Sequence, residues 1–254
     1  MPDSRRAGPD LVVEDRERIE ADVHDPVSTG QWAWEWIKSF LIAFGLFLII
    51  RTFVVEAFRI PTGSMENTLL TGDFLLVDKA VFGVRLPFIG VRLPAFDEPQ
   101  RGDIVVFNPP HEPDRNFVKR LVGVPGDTLE MHGRTLYVNG SPQDEPFARF
   151  SGSGDVYSAT MFWQCDFAPA PPPTGAACRP TRDNWGALVV PADRFFMLGD
   201  NRDDSEDSRY WGFAARDAIK GRPLIIYYSF HTMAGRSFPW LTSIRWGRMG
   251  RTVH

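Results

Sequence analysis

The chain has 254 residues, 43% of them hydrophobic and 13% aromatic, which is enough for one large or two small packed domains and too apolar for disorder throughout. Its net charge of -4 conceals an uneven layout: residues 1–38 carry nine acidic and five basic side chains, whereas 218–254 carry six basic ones and no acid. The two cysteines, Cys165 and Cys178, form no CxxC motif and have no histidine at metal-ligand spacing, which argues against a zinc site.

Residues 1–31 are polar and charged, broken by Pro9, Pro26 and Gly30, and read as a cytoplasmic lead. The run SFLIAFGLFLII over 39–50 then carries no charge. Alone it falls short of the about 20 residues that a membrane span needs. Extended to 32–55 it is long enough, with Glu35, Lys38 and Arg51 near the interfaces and Trp32, Trp34 and Trp36 forming a belt. This predicts a single transmembrane anchor over 32–55. A buried core helix and a signal peptide cut after Ala57 are the competing readings. The cut would fall seven residues before Ser64, behind an acidic rather than basic lead, which favours an uncleaved anchor. Lys38 on one side against Arg51 and Arg59 on the other leaves the orientation open.

Beyond residue 56 the pattern changes to short β-like runs at 74–77, 104–107, 117–124, 128–138, 188–190, 195–198 and 223–228. Gly-Asp pairs at 72, 102, 126 and 199 punctuate them, and Asn139-Gly140 signals a tight turn. The predicted fold is mainly β: an N-terminal transmembrane helix, then an antiparallel β-sheet domain with an inserted β/loop lobe. Between Gly140 and Trp185 the chain is too irregular for core, with Ser151-Gly152-Ser153-Gly154, a proline-rich run over 169–173 and both cysteines. In an exported domain Cys165 and Cys178 pair most simply as one disulfide; two free thiols in a cytosolic protein is the alternative. The tail interleaves its basic residues with Phe238, Trp240 and Trp246, a pattern suited to nucleic acid or an anionic membrane. Nothing resembles a nucleic-acid module, so the membrane is preferred.

Ser64, in Ile60-Pro61-Thr62-Gly63-Ser64-Met65, is not in a GxSxG elbow, because Glu66 stands two residues after it. It is either a nucleophile or a turn serine capping a short helix over 66–70. A nucleophilic serine needs a base, and the histidines at 24, 111, 132, 231 and 254 lie in lead, loop and tail contexts. Lys119 is the better candidate. In the strand-like run 116–124 it alternates onto one face with Phe117 and Leu121, and desolvation there lowers an amine from about 10.4 towards the range of a general base. The competing reading is an edge-strand lysine pointing to water. The segment 199–212 holds four aspartates, two arginines and two serines, too polar for a strand. It is either a solvated or calcium-binding loop, with Arg202 and Arg209 competing against a cation, or a brace in which Asp207 pairs with Arg209 or Arg202 and Ser205 orients an amine.

Four blocks in order closely resemble bacterial type I signal peptidases, membrane-anchored proteases of the Ser/Lys class. They are Ile60 to Met65 with Thr68-Leu69; Arg101-Gly102-Asp103-Ile104-Val105-Val106-Phe107; Phe117-Val118-Lys119-Arg120-Leu121-Val122-Gly123 with Pro125-Gly126-Asp127; and Leu198-Gly199-Asp200-Asn201-Arg202 through Ser205 and Asp207-Ser208-Arg209-Tyr210-Trp211-Gly212. The resemblance implies that Ser64 is the nucleophile, Lys119 the general base and then acid, and Ser205 the hydroxyl orienting Lys119. It also implies an oxyanion hole made by the Ser64 backbone N–H and the Thr62 hydroxyl. In this reading Asp200, Arg202, Asp207 and Arg209 brace the site.

The activity implied is removal of signal peptides from exported preproteins on the outer side of the cytoplasmic membrane, through an acyl-enzyme, with neither metal nor cofactor. Substrates with small residues at P1 and P3 add as a strand against apolar subsites near Ile60, Met65, Leu69 and Val118. The implied layout is a catalytic β-domain over 56–128 and 195–232, an inserted lobe over 129–194 whose part 141–187 matches no motif, and a basic aromatic tail over 233–254. The partners are preproteins and the lipid bilayer, not nucleic acid; oligomeric state is left open. Two departures stand out: Thr62 where many members carry serine, with a more restricted rotamer, and Asp204 where many carry asparagine. A self-cleaving Ser/Lys protease of the repressor type and a non-catalytic membrane-tethered β scaffold are the alternatives.

Overall fold

The computed structural model describes residues 29–83, 94–152, 154–168, 178–232 and 237–254. Most of the charged lead, the proline-rich run over 169–173 and Arg236 of the tail lie outside the described residues. The chain divides into two units, 1–49 and 50–254. Helix α1, Thr29–Phe53, begins in the first and ends in the second. From Gly30 to Phe53 it has 24 residues and a mean hydropathy of 1.7. At 1.5 Å per residue that is about 36 Å, longer than the roughly 30 Å hydrocarbon core of a bilayer. Its apolar side chains point outward all round, with Phe40 and Ile42 68% and 66% exposed. A helix without a polar face has no stripe to turn towards an aqueous surface.

The helix stops two residues short of the expected 32–55 segment. Val54 N–H still donates to the Ile50 carbonyl at 2.8 Å, but Val55 already pairs with Asp78 across an antiparallel ladder. Adjacent β-branched residues favour that change of period.

Among the described residues eleven strands follow: β1 Val55–Arg59, β2 Asp73–Asp78, β3 Ile104–Phe107, β4 Phe117–Gly123, β5 Thr128–His132, β6 Thr135–Val138, β7 Ser141–Pro142, β8 Trp185–Val189, β9 Arg194–Leu198, β10 Ala214–Ala215 and β11 Ile219–Ser229. A seven-stranded sheet has the order β1-β2-β11-β3-β4-β9-β10, and a four-stranded sheet the order β7-β6-β5-β8. Every pairing within both sheets is antiparallel. The mainly β, antiparallel fold class follows directly.

Two expectations need correction. The run over 128–138 is a hairpin rather than one strand, because Gly133 and Arg134 both take positive φ, +55° and +74°. Arg134 is held there by its N–H to the Asp183 carbonyl at 3.3 Å and its Nε to Asp183 Oδ2 at 2.9 Å. The stretch between Gly140 and Trp185 also contributes to the core. Met161 is fully buried with Phe196, Leu198 and Phe213, and Trp163, in helix α2 (Trp163–Phe167), packs against them.

A second apolar cluster, including Phe58, Ile60, Met65, Leu69, Leu75, Val77 and Ile104, lies where β1 and β2 meet the turn carrying Ser64. The basic tail is partly folded inward: Arg248 Nη2 lies 2.6 Å from Asp73 Oδ2, and Arg245 donates to the Thr71 and Phe230 carbonyls. Trp240 and Trp246 remain more than half exposed.

Candidate active site

Ser64 sits in an irregular turn and caps no helix. Glu66 N–H donates to the Gly63 carbonyl at 2.9 Å, and Thr68 and Leu69 N–H both reach the Met65 carbonyl. Met65 and Leu69, 1% and 0% exposed, anchor this turn in the core. From the far side Asn201 N–H donates to the Ser64 carbonyl at 3.1 Å, and Asn201 Nδ2 to that of Gly63 at 3.3 Å. Gly199 makes this approach possible. A Cβ there would lie 2.1 Å from Ser205 Oγ and 2.5 Å from the Ser64 carbonyl oxygen, closer than real atoms come.

Lys119 is the third residue of β4 and pairs with Val105. Its Nζ donates to Ser64 Oγ at 2.6 Å and lies 5.6 Å from the centre of the Phe117 ring. Only 3% of Lys119 is exposed, so the water-facing edge lysine is set aside. Burial lowers its pKa from 10.5 to about 8, against the opposing pull of Asp207, while Arg209 adds to the depression.

Asp200 ties three segments together. It takes two 2.8 Å hydrogen bonds from Arg120 and one at 2.5 Å from the Thr68 hydroxyl, joining β4 and the nucleophile turn to the 199–212 segment. Asp207 pairs with Arg209 through two 2.8 Å contacts, both residues fully buried. Burial alone would raise the Asp207 carboxyl, but Arg209, with Lys119, holds it below its ordinary range. Asp207 also caps helix α3, Ser208–Trp211, by accepting from Arg209 N–H, and receives Gly199 N–H at 3.1 Å. Arg202 turns instead to Glu145, with two contacts of 2.7 Å. That partner, 57 residues away in the chain, has no signal in the sequence.

Ser205 is 8% exposed, and its Oγ has no hydrogen-bond partner in this structure; it does not reach Lys119 here. Thr62, Gly63, Ser64, Lys119 and Ser205 line one cleft of about 1170 Å³. Of the expected subsite residues, Ile60, Met65 and Val118 line it, whereas Leu69 belongs to the core beneath. Sequence reasoning missed His111, which also faces the cleft. Its ring lies against Trp211 and Phe117, and its Nε2 is 3.5 Å from Glu206. Cys165 and Cys178 are joined by a disulfide. Among the described residues no group of three or more His, Cys, Asp or Glu is placed to hold a metal ion.

A half-buried hydroxyl hydrogen-bonded to a buried amine, opening onto a large cleft on an antiparallel β scaffold, fits serine-nucleophile chemistry with lysine as base. The pattern of the family described as Signal peptidase, peptidase S26, matches residues 33–228. The chain belongs to this family.

A signal peptidase I from Pseudomonas aeruginosa is 41% identical over 182 residues, which is 70% of this chain and 62% of that protein. The chain therefore spans less than two thirds of that relative's length. A signal peptidase I from Buchnera aphidicola is 30% identical over 86% of this chain and 82% of its own length. A crystallised signal peptidase I from Enterococcus faecalis is 30% identical and covers 50% of this chain and 97% of its own, at a TM-score of 0.34. At that score it carries no argument about the fold, which rests on the strand order described above.

Proposed function

We propose that this chain is a membrane-tethered endopeptidase that removes N-terminal signal peptides from exported preproteins through a Ser64/Lys119 dyad. The observation that carries the reading is the 2.6 Å hydrogen bond from a buried, pKa-lowered Lys119 amine to Ser64 Oγ. Neutral Lys119 takes the Ser64 proton as Oγ attacks the scissile carbonyl. The Ser64 N–H and the Thr62 hydroxyl stabilise the oxyanion. As the tetrahedral intermediate collapses, Lys119 gives that proton to the leaving amine, and the acyl-enzyme forms. Water, deprotonated by the same lysine, then releases the signal peptide and restores Ser64.

Helix α1 anchors the chain in the cytoplasmic membrane, with the catalytic β-domain over 56–128 and 195–232 and the lobe over 129–194 on the outer side. Among the described residues strand β1 pairs with β2 alone, leaving an edge at the cleft to which an extended substrate adds. Small residues at P1 and P3 fit the apolar wall of Ile60, Met65 and Val118. Ser205, buried beside the dyad, orients Lys119 in the reacting state.

The test is incubation of the detergent-solubilised chain with a synthetic preprotein carrying alanine at P1 and P3, with the new N-terminus read by mass spectrometry. Cleavage at that bond by wild type, and none by Ser64→Ala, is expected. No cleavage by wild type would leave a non-catalytic scaffold as the reading.

A further inference from the structure

The charge on the cleft wall is unevenly placed. Asp204 Oδ2 lies 3.7 Å from the position a Cβ on Gly63 would take, one residue before Ser64. Asp204 is exposed and has no ion-pair or hydrogen-bond partner for its carboxylate among the described residues. Glu206, also exposed, lines the same wall and lies 3.5 Å from the His111 ring. Between them Ser205, 8% exposed, places a hydroxyl with no hydrogen-bond partner in the lining of this cleft. Asp203 is a different case, because Arg182 offsets its charge at 3.0 Å. Of the cations on the other walls, Arg115 pairs with Glu112 at 2.6 Å, Lys119 donates to Ser64 Oγ at 2.6 Å, and Arg59 lies over the Phe74 and Phe230 rings, which leave its charge in place.

The chemistry fixes which half of a substrate meets this wall. The leaving nitrogen must take its proton from Lys119, so it departs on the side where that amine is enclosed. The charges that act most on the amine, those of Asp207, Arg209, Glu206 and Asp200, all belong to the 199–212 segment. The acyl half lies along the open edge of β1, through Phe58 to Pro61.

Resting on the dyad reading, we infer that Asp204 and Glu206 form a charge filter for the first two residues after the scissile bond, accepting basic or neutral side chains and rejecting acidic ones. An unpaired carboxylate beside the path attracts a cation and repels an anion, and a half-open cleft screens either effect only in part.

The test uses three synthetic preproteins that differ only in carrying Lys, Gln or Glu at the first two positions after the scissile bond. Wild type is expected to show kcat/KM in the order Lys, Gln, Glu, with Lys over Glu by about tenfold. The ratio should narrow at high salt and in the double variant Asp204→Asn/Glu206→Gln. A wild-type ratio near one, or a ratio that the double variant leaves unchanged, overturns the inference. Binding of the same three peptides to Ser64→Ala, read by fluorescence anisotropy, tests the same order without turnover. If wild type fails to cut even the Gln peptide, the dyad reading fails, while the binding order still decides for or against the filter.

Discussion

Lys119 Nζ reaches Ser64 Oγ at 2.6 Å across 55 residues of sequence, with the two residues held by different elements. β4 fixes the lysine, and a core-anchored turn fixes the serine. Asp200 sets the distance between them, because Arg120, next to Lys119 on β4, and Thr68, in the serine's turn, bind the same carboxylate. Such a pair is preorganised, and its chemistry then depends on how much of the amine is neutral.

The first prediction concerns pH. With Lys119 titrating at about 8, kcat/KM should rise with unit slope as pH approaches 8 from below and level off above it, because only the neutral amine accepts the Ser64 proton. A pH series on one preprotein substrate checks this. A profile flat from pH 6 to 9 would assign the base elsewhere.

The same burial has a thermodynamic side. A lysine lowered from 10.5 to about 8 by folding corresponds to as much as about 3 kcal/mol of lost stability. The unfolded chain binds the extra proton between those two values, so the penalty is full below pH 8 and fades as pH rises towards 10.5. Lys119→Met should therefore be more stable than wild type at pH 7, with the gain shrinking by pH 10. Denaturant midpoints at the two pH values measure it, and a gain independent of pH would contradict the assignment.

Ser205 allows stability and activity to be separated. Its buried Oγ has no hydrogen-bond partner here, so Ser205→Ala should leave the midpoint unchanged or slightly raised. If the hydroxyl orients Lys119 during reaction, kcat should fall by about tenfold or more and the acidic limb of the pH profile should move. Unchanged kcat and pH profile would make Ser205 a packing residue.

The Asp207–Arg209 pair should behave as a unit. Arg209→Met leaves a fully buried carboxylate without its counter-ion and should lower stability by about 3 to 5 kcal/mol. The double variant Asp207→Asn/Arg209→Met should recover much of that loss. Additive losses in the double-mutant cycle would show that the two side chains act separately.

Much of this site was legible because each block has a local physical signature. Alternation around Lys119 placed it beside Phe117, and the density of charge over 199–212 marked a braced loop rather than a strand. The Asp207 partner was left between Arg209 and Arg202. The choice depends on Glu145, which claims Arg202 from a distant part of the chain that shows no periodicity. Met161 was missed for a related reason: a buried methionine in a proline- and glycine-rich stretch leaves no periodic pattern. Strand β1 was not among the expected β-like runs, and its first residue, Val55, was read as the end of the anchor, since hydropathy alone does not separate the end of a helix from a following β-branched strand. The inward folding of Arg245 and Arg248 onto the Asp73 region likewise needs the fold, because a basic tail looks the same in sequence whether its charges face water or a buried carboxylate.

The central claim is that Lys119 acts as the base for Ser64, and the most direct measurement is the rate at which Lys119→Arg cleaves a synthetic preprotein at pH 8. Arginine keeps a positive charge near the same position but does not deprotonate usefully. The variant should therefore be as inactive as Ser64→Ala while remaining folded. Cleavage at a substantial fraction of the wild-type rate would contradict the account and reduce Lys119 to a positioning charge.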